Sequence, residues 1–377
     1  MIWTKVSTAN LKLATMSKLL AVYSLVNCFF ILLIIILYLG GSLMKKIMGI
    51  LMILVVLFTA CGKGEDDKST QNNDAKKVNY KVGVVLGLGG LGDKSFNDSA
   101  YVGLQKAEKE LGIKFKYVEP TTLSEYDQFI TEFVEAKYDL IIAISFDSQK
   151  AVEEAAKEYP DSKFVIIDSK VDAPNVESIL FNQKEGSFLA GALGAMVSKD
   201  KQLGFIGALD IPQVNSFRDG YVQGAKYIDE NAVVKSVYIG GNNPFNDPTK
   251  AKELAISLNE NGADVLYTVA GGSGRGVMEV LKTKPNLYGI GVDSNQDGEV
   301  KGKMLTSILK RVDVAVYNVI KDGLDGNYKS GTVVLGLKEN GMGTTNFEFS
   351  KDVIGEENLK RLEEIKADLI SGKIEIK

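Results

Sequence analysis

The stretch KVGVVLGLGGLGDKSFND, residues 81–98, contains the pattern that decides the fold. Its apolar beginning, Lys81–Leu86, predicts a strand buried on both faces, because apolar residues follow one another with little polar alternation. Four glycines follow, and a helix is predicted over Ser99–Leu111. A strand, a glycine-rich turn and a helix in this order predict an α/β unit with a parallel sheet.

The same alternation of strand and helix continues along the chain. Further strands are predicted at Lys114–Glu119, Leu140–Ser145, Lys163–Asp168, Ser178–Asn182, Leu203–Ala208, Val233–Ile239, Val265–Ala270, Leu287–Val292 and Met304–Leu309. Further helices are predicted at Ser148–Glu158, Phe217–Asn231, Thr249–Asn261 and Val277–Lys282. Two series of five strands predict two doubly wound, parallel-sheet lobes of the α/β class.

The glycines of residues 87–92 also satisfy G-x-G-x-x-G, and Glu119 ends the next predicted strand, as in a dinucleotide-binding fold. In such a fold the motif opens the helix directly, whereas here residues 93–98 intervene. We therefore interpret the glycines as a tight loop facing a cleft, because glycine adopts turn conformations that other residues avoid. No nicotinamide or other cofactor is expected.

The composition excludes several classes of function. The chain of 377 residues contains no histidine, so neither His-based acid–base catalysis nor an imidazole-ligated zinc site is available. Cys28 and Cys61 are its two cysteines, so the part after Cys61 can form no internal disulfide. Residues 61–377 hold 39 basic and 48 acidic groups, a net charge of −9. This surface repels phosphate backbones, so no nucleic-acid partner is expected.

Residues 44–60 have the layout of a secretory signal peptide. Two lysines precede an apolar run, and the ending LFTAC at residues 57–61 resembles a bacterial lipobox. We expect Cys61 to be lipidated, for instance with palmitate, and to anchor the protein at the extracytoplasmic face of the cell membrane. Residues 61–77 are polar and are expected to form a flexible tether.

Residues 1–43 precede this signal peptide and contain the apolar run Leu19–Leu39, which is long enough to span a bilayer. Gly40-Gly41 can be encoded by GGAGG, which resembles a ribosome-binding site shortly before the Met44 codon. We interpret residues 1–43 as a mis-annotated extension, with translation beginning at Met44. The alternative is an additional hydrophobic segment.

Polar and glycine residues are concentrated directly after the predicted strands. In doubly wound sheets, ligands bind beyond the carboxyl ends of the strands, so these positions are expected to carry the function. The positions are Gly92–Asn97, Phe146–Asp147, Ile211–Phe217, Asn243–Asp247, Gly271–Gly274, Asp293 and Lys310.

With its residues laid out in this way, the chain resembles the basic membrane protein family of substrate-binding lipoproteins over Val78–Lys377. That family includes purine-nucleoside receptors of ATP-driven importers. The matching motifs are DKSFN at 93–97, FRDGY at 217–221, AGGSG at 270–274, GVDSNQ at 291–296 and TSILKRVD at 306–313. Asn295 departs from the family, which commonly has an acid at that position.

The resemblance implies a type I periplasmic-binding-protein fold, in which strands cross between two lobes and form a hinge. We place the crossings near Asn182, Asp293 and Gly331. The expected lobe one is then 78–182 and 294–330, and the expected lobe two is 183–293 and 331–377.

The resemblance also implies a nucleoside guest, whose flat base calls for aromatic stacking. Phe217 and Phe245 are the expected stacking side chains of lobe two. Phe96, Tyr101 or Phe146 are expected to cover the other face of the base from lobe one. For each of these side chains, packing in the core is the alternative.

Asp293 and Lys310 end consecutive predicted strands and together match a ribose, since a carboxylate accepts hydroxyl hydrogens and an ammonium donates to hydroxyl oxygens. The alternative is an ordinary surface ion pair. Asp93, Asn97 and Asp147 are expected to bind base or sugar edges, although Asp147 can instead cap the helix that follows it.

Gly271 and Gly272 are expected to let the backbone approach the guest closely. We expect no catalytic residue and no metal, because the sequence supplies no histidine, no metal cluster and no recognisable activated serine.

These expectations describe a lipid-anchored nucleoside receptor that works with the permease and ATPase subunits of an ABC importer. Two alternatives stay open at this point. One is a sensory lipoprotein that reports its ligand to a membrane signalling partner, and the other is an enzyme that processes nucleosides or sugars.

Overall fold

The computed structural model describes residues 78–377. The expectations for residues 1–43, the signal peptide, Cys61 and the tether lie outside the described residues. Within residues 78–377 no helix is both long enough and apolar enough to cross a membrane.

Two six-stranded sheets form the framework. The strands are β1 Lys81–Val85, β2 Lys114–Val118, β3 Leu140–Ile144, β4 Phe164–Ile167, β5 Val176–Phe181, β6 Gln202–Gly207, β7 Val233–Tyr238, β8 Val265–Val269, β9 Tyr288–Asp293, β10 Met304–Lys310, β11 Gly331–Leu335 and β12 Met342–Thr344. The first sheet has the order β11-β5-β4-β3-β1-β2 and is parallel throughout. The second has the order β12-β10-β9-β8-β6-β7, and only β12 runs antiparallel.

Helices connect the strands. The α-helices are α1 Phe96–Leu111, α2 Glu125–Glu135, α3 Gln149–Glu158, α4 Gln183–Val197, α5 Pro212–Ile228, α6 Pro248–Glu260, α7 Gly274–Thr283, α8 Val312–Leu324, α9 Lys351–Ile354 and α10 Glu356–Ile370. Short 3₁₀ helices occupy Phe146–Ser148, Gly271–Ser273 and Asp297–Val300.

Strand β1 explains why the opening stretch of the sequence is continuously apolar. Val82 and Val84 pack into one core cluster, whereas Val85 packs into another on the opposite face of the sheet, and all three are fully buried. A strand that is buried on both faces needs apolar residues at successive positions. The predicted fold class, two doubly wound sheets, is therefore confirmed.

The division of the chain between the lobes differs from the sequence expectation after Asp293. Strand β10 pairs with β9 in the second sheet, although residues 294–330 were expected in lobe one. Strand β11 pairs with β5 in the first sheet, although residues 331–377 were expected in lobe two. Lobe one is therefore built on residues 78–181 together with α8 and β11, and lobe two on the remaining elements.

Three connections join the lobes, after β5, after β10 and after β11, and the backbone links them to one another. The Asn182 N–H donates to the Leu335 carbonyl at 3.0 Å, and the Arg311 N–H donates to the Gly341 carbonyl at 2.9 Å. The Glu185 carboxylate accepts the Leu337 N–H at 2.7 Å. The connections therefore form one hydrogen-bonded hinge rather than three independent linkers.

In lobe two, helices α4 and α5 approach each other through glycines. A Cβ on Gly224 would come within 1.9 Å of the Phe188 carbonyl oxygen, and one on Gly191 within 1.9 Å of the Tyr221 carbonyl oxygen. Both obstacles are backbone atoms, which cannot rotate away as a side chain can. The helices can therefore pack at this distance only with glycine at these positions.

We predict that Gly224→Ala lowers the free energy of unfolding by about 1–3 kcal/mol, because the added methyl group separates two packed helices. Urea denaturation followed by circular dichroism measures the change. Gly298→Ala is the control, since its Cβ would meet no atom closer than 4.0 Å, and an equal loss in the control would contradict the prediction.

Candidate functional site

A cavity lies where the carboxyl ends of the strands of the two sheets face each other. The empty space between its lining residues, including the open mouth, is about 680 Å³. Lobe one contributes Gly87, Leu88, Asp93, Phe96, Asn97, Ser145, Phe146, Asp147 and Asp168 to the lining. Lobe two contributes Gln183, Gln213, Val214, Phe217, Phe245, Val269, Ala270, Gly271, Asp293 and Lys310.

The structure brings ten of the twelve residues predicted as ligand-binding into this one cavity. They come from both lobes and comprise four phenylalanines, five polar or charged residues and one glycine. The ten are Asp93, Phe96, Asn97, Phe146, Asp147, Phe217, Phe245, Gly271, Asp293 and Lys310.

Tyr101 and Gly272 do not line the cavity. Tyr101 packs edge-on against Phe115 and Tyr117 at ring-centroid distances of 6.0 and 5.4 Å. It follows Phe96 by five residues, which turns it well away from the cleft around the helix axis. A Cβ on Gly272 would face the Phe245 carbonyl oxygen and Asn246, within lobe two.

The glycine loop after β1 is held in place by two side chains. The Gly87 N–H donates to Asn97 Oδ1 at 2.9 Å, and the Leu91 N–H donates to Glu119 Oε2 at 2.8 Å. Gly90 has φ of 61° and Gly92 has φ of 87°, which glycine adopts without strain. Glu119, the acid of the dinucleotide-like pattern, therefore holds the loop, and the glycines form a tight turn as predicted.

Asp93 organises the turn that leads into α1. Its carboxylate accepts the Ser95 N–H at 2.8 Å and the Asn97 N–H at 2.9 Å. Burial raises the pKa of the Asp93 carboxyl, and the bonds from the N–H groups of Asn97, Ser95 and Asp98 act in the opposite direction. The first turn of the helix is thereby fixed with Phe96 and Asn97 directed to the cavity.

The carboxylate of Asp147 accepts the Ser145 hydroxyl at 2.9 Å. Helix α3, which follows, begins after Ser148 without a side-chain cap, so Asp147 does not serve as the helix cap. Burial raises the pKa of the Asp147 carboxyl, and the bond from Ser145 partly offsets that effect.

Lys310 is the most deeply buried charged side chain of the cavity, with 3% of its side chain exposed. It donates to Asp168 of lobe one, whose side chain is 10% exposed. Its ammonium also lies 4.8 Å from the ring centroid of Phe96 and 5.7 Å from that of Phe217. An ammonium in this position is stabilised both by the carboxylate and by the faces of the rings.

Asp293, expected to act together with Lys310, accepts the Ser95 hydroxyl of lobe one instead of forming the ion pair. Burial raises the pKa of the Asp293 carboxyl to about 6, although the charge of Lys310 and the bond from Ser95 lower it. Asp293 has φ of 64°, in the left-handed region, so its backbone turns sharply at the end of β9. The structure therefore contains no surface ion pair between Asp293 and Lys310, which was the alternative interpretation.

Asp168 and Gln183 line the cavity without having been predicted from the sequence, whereas Gln213 falls within the stretch 211–217 that was expected to carry the function. Asp168 directly follows β4 as Asp293 ends β9, so the rule applied to the other strand ends could have found it. Gln183 begins helix α4 and carries no comparable signal. The same three residues also line an open groove, so the cavity continues outwards on this side.

Within residues 78–377 no group of His, Cys, Asp or Glu side chains has the arrangement of a metal site. The carboxylates of the cavity are instead engaged by hydroxyls, backbone N–H groups and one lysine.

Comparison with known proteins gives a consistent result. The family model described as ABC transporter substrate-binding protein PnrA-like matches residues 80–377. The ABC transporter nucleoside-binding protein BmpA of Lactococcus lactis subsp. cremoris is 33% identical over 322 residues, which cover 80% of this chain and 90% of that protein. An uncharacterized lipoprotein of Pyrococcus abyssi is 34% identical over 317 residues, which cover 80% of this chain and 76% of that protein.

A solved structure supports the same relationship. The crystal structure of a solute-binding protein of an ABC transporter system from Aeropyrum pernix K1 matches with a TM-score of 0.72 and 29% identity. The match covers 78% of this chain and 92% of that one.

We predict that Lys310→Met lowers the free energy of unfolding by about 3–5 kcal/mol, because it leaves the Asp168 carboxylate buried without its counter-charge. The double variant Lys310→Met with Asp168→Asn should recover most of this loss, since no isolated charge remains. Urea denaturation of the three proteins measures both changes. Equal stability of the single and double variants would contradict the assignment of the pair.

Proposed function

The chain belongs to the family of PnrA-like substrate-binding proteins of ABC transporters, and on that premise we propose that it binds a nucleoside, a purine nucleoside first of all, in the cavity between its lobes. The family consists of solute-binding components of transporters and not of enzymes. The receptor passes its guest unaltered to the permease and ATPase subunits of an importer. The name of the Lactococcus lactis relative supports a nucleoside as the guest.

The observation that carries this proposal is the convergence of aromatic rings and paired charges in one cavity. Phe217 and Phe245 of lobe two stack on one face of the base, and Phe96 and Phe146 of lobe one cover the other. Flat π surfaces are the groups that a purine base contacts most favourably. The Lys310 ammonium lies within 6 Å of two of these rings, so the sugar-binding groups adjoin the base slot.

The sugar is bound by the carboxylates of Asp293 and Asp168. Asp168 Oδ1 is buried and has no hydrogen-bond partner, and an unpaired buried acceptor costs about 1–3 kcal/mol. A ribose hydroxyl donated to this oxygen removes that cost. Asp93, Asn97 and Asp147 supply the remaining polar contacts, and Gly271 permits close approach of the backbone.

The charge of the cavity favours an uncharged guest that is rich in hydrogen-bond donors. Four carboxylates, those of Asp93, Asp147, Asp168 and Asp293, face one ammonium, that of Lys310. A phosphate group would add negative charge to a site that already has an excess of it. A nucleoside carries no such charge and offers several hydroxyl and amino hydrogens.

The receptor is held at the extracytoplasmic face of the membrane by a lipid on Cys61. The lipobox-like ending at residues 57–61 supports this anchor, and so does the naming of the Pyrococcus abyssi relative as a lipoprotein.

Calorimetric titration of the purified full chain with inosine, guanosine and adenosine tests the proposal. We expect a 1:1 complex without chemical change of the nucleoside. Phe217→Ala should weaken binding by about 1–3 kcal/mol, because a base–ring contact is lost. Tyr101→Ala is the matched control, since this aromatic side chain lies outside the cavity and its loss should leave the affinity unchanged.

The absence of binding for all three nucleosides, or release of a free base from them, would overturn the proposal. Equal weakening by the two aromatic variants would overturn the position of the base but not the fold.

We predict that nucleoside affinity falls as the pH drops below about 6. The raised pKa of Asp293, about 6, means that the carboxyl takes up a proton in that range, and a neutral carboxyl accepts fewer hydroxyl hydrogens. Affinity should fall by at most about tenfold per pH unit. The Asp293→Asn variant should bind more weakly at pH 7, and its affinity should not show the fall below about pH 6 that Asp293 causes. The same pH profile in both proteins would refute the role of Asp293.

A further inference from the structure

A short loop of lobe one, Gly92–Ser95, is bound by side chains of lobe two. Three of its four carbonyl groups accept hydrogen bonds across the cleft. The donors are Arg275 Nη1 to the Gly92 carbonyl at 2.6 Å, Gln296 Nε2 to the Lys94 carbonyl at 2.9 Å and Ser294 Oγ to the Ser95 carbonyl at 3.0 Å. We call these three donors together with the loop the interlobe clasp.

The loop is held in shape by its own lobe. Asp98 accepts the Gly92 N–H and the Lys94 N–H, each at 2.8 Å, and Asp93 accepts the Ser95 N–H at 2.8 Å. With the N–H groups fixed from one side, the carbonyl groups present a preformed set of acceptors to the other lobe. Little conformational entropy is then lost when the lobes close, so more of the bond energy stabilises the closed form.

The donors of the clasp do not line the cavity, so they cannot act by contacting the guest. They act through the loop, which carries Asp93 and continues into Phe96 and Asn97. These three side chains line the cavity, and their positions depend on where the loop is held.

The strength of the clasp comes from the carbonyl bonds and not from the ion pair beside them. Lys94 and Glu299 form a bridge at 2.8 Å, but their side chains are 51% and 38% exposed. Exposed pairs contribute little because solvent screens them. The Ser294 and Gln296 bonds, in contrast, are partly buried, and the Arg275 bond, although exposed, has a charged donor, which makes such hydrogen bonds about twice as strong as neutral ones.

We propose that the interlobe clasp sets the residence time of the guest, with Arg275, Ser294 and Gln296 as positioning residues that keep the lobes closed without touching the ligand. The inference rests on the proposed function for its ligand, but the clasp itself is a property of the ligand-free protein. Loss of the clasp makes opening easier, and the guest escapes through an open cleft.

Stopped-flow measurements of nucleoside association and release on the full chain test this inference, with Arg275→Ala, Ser294→Ala and their combination as variants. Gln296 is left intact because it also accepts the Val292 N–H within lobe two. Arg275 also donates to Asn246 Oδ1 within lobe two, at 2.8 Å, so Asn246→Ala is measured alongside as the variant that removes this bond alone. We expect the dissociation rate to rise about tenfold in Arg275→Ala and further in the double variant. The association rate should change by less than about threefold, as is usual for changes that act on the bound state.

Glu279→Gln is the matched control. Glu279 lies on α7 with Arg275, but its partner Lys252 belongs to the same lobe, at 2.9 Å. Its loss should leave the dissociation rate unchanged. A dissociation rate that rises equally in the control and in Arg275→Ala, or in none of the variants, would overturn the inference.

Hydrogen exchange of the ligand-free chain separates this inference from the proposed function. Peptides covering residues 88–98 should exchange faster in the double variant than in the native protein and in Glu279→Gln. This result supports the clasp even if no nucleoside binds, in which case the proposed function alone fails. Unchanged exchange in the double variant would overturn the clasp even if nucleosides bind tightly.

Discussion

The rest of the structure depends on the need to neutralise one buried ammonium. Lys310 is 3% exposed, and a charge in that position is stable only with a partner of opposite sign. The partner, Asp168, belongs to the other lobe, so the two lobes satisfy one electrostatic requirement jointly. The aromatic rings of Phe96 and Phe181 from lobe one and of Phe217 from lobe two also surround the ammonium. The contacts that neutralise this ammonium therefore join the two lobes at the cavity itself.

Some polar groups around this pair bond across the cleft, whereas others keep acceptor atoms that we propose for a guest. Ser95 donates to Asp293 across the cleft, while Asp168 keeps one oxygen unpaired. Asp93 and Asn97 are partly engaged by the backbone of their own loops. The residues that we propose to contact a guest are thus held in position without it, which reduces the entropy lost on binding.

Much of the fold and of the candidate site could be predicted from the sequence, for a physical reason. Phe217, Asp293 and Lys310 were placed in the site because residues after parallel strands meet at one edge of a sheet. Tyr101 was misplaced because the helical turn directs it away from Phe96. The sheet that receives β10 or β11 could not be predicted, since the local pattern specifies a strand but not its neighbours. The sequence pattern also does not indicate that Lys310 pairs with Asp168, because the two residues are 142 positions apart in the chain. Nor does it indicate the bonds of the interlobe clasp, because their acceptors are backbone carbonyl groups, which every residue has.

The interleaved course of the chain through the two lobes has a consequence for how the protein is made. The first sheet gains its last strand, Gly331–Leu335, only after nearly the whole of the second has been synthesised. Since synthesis proceeds from the amino end, the lobe that starts first is also left incomplete for most of translation. Neither sheet can therefore be completed as an independent unit, because each receives its final strand, Gly331–Leu335 or Met342–Thr344, only after most of the other has been synthesised.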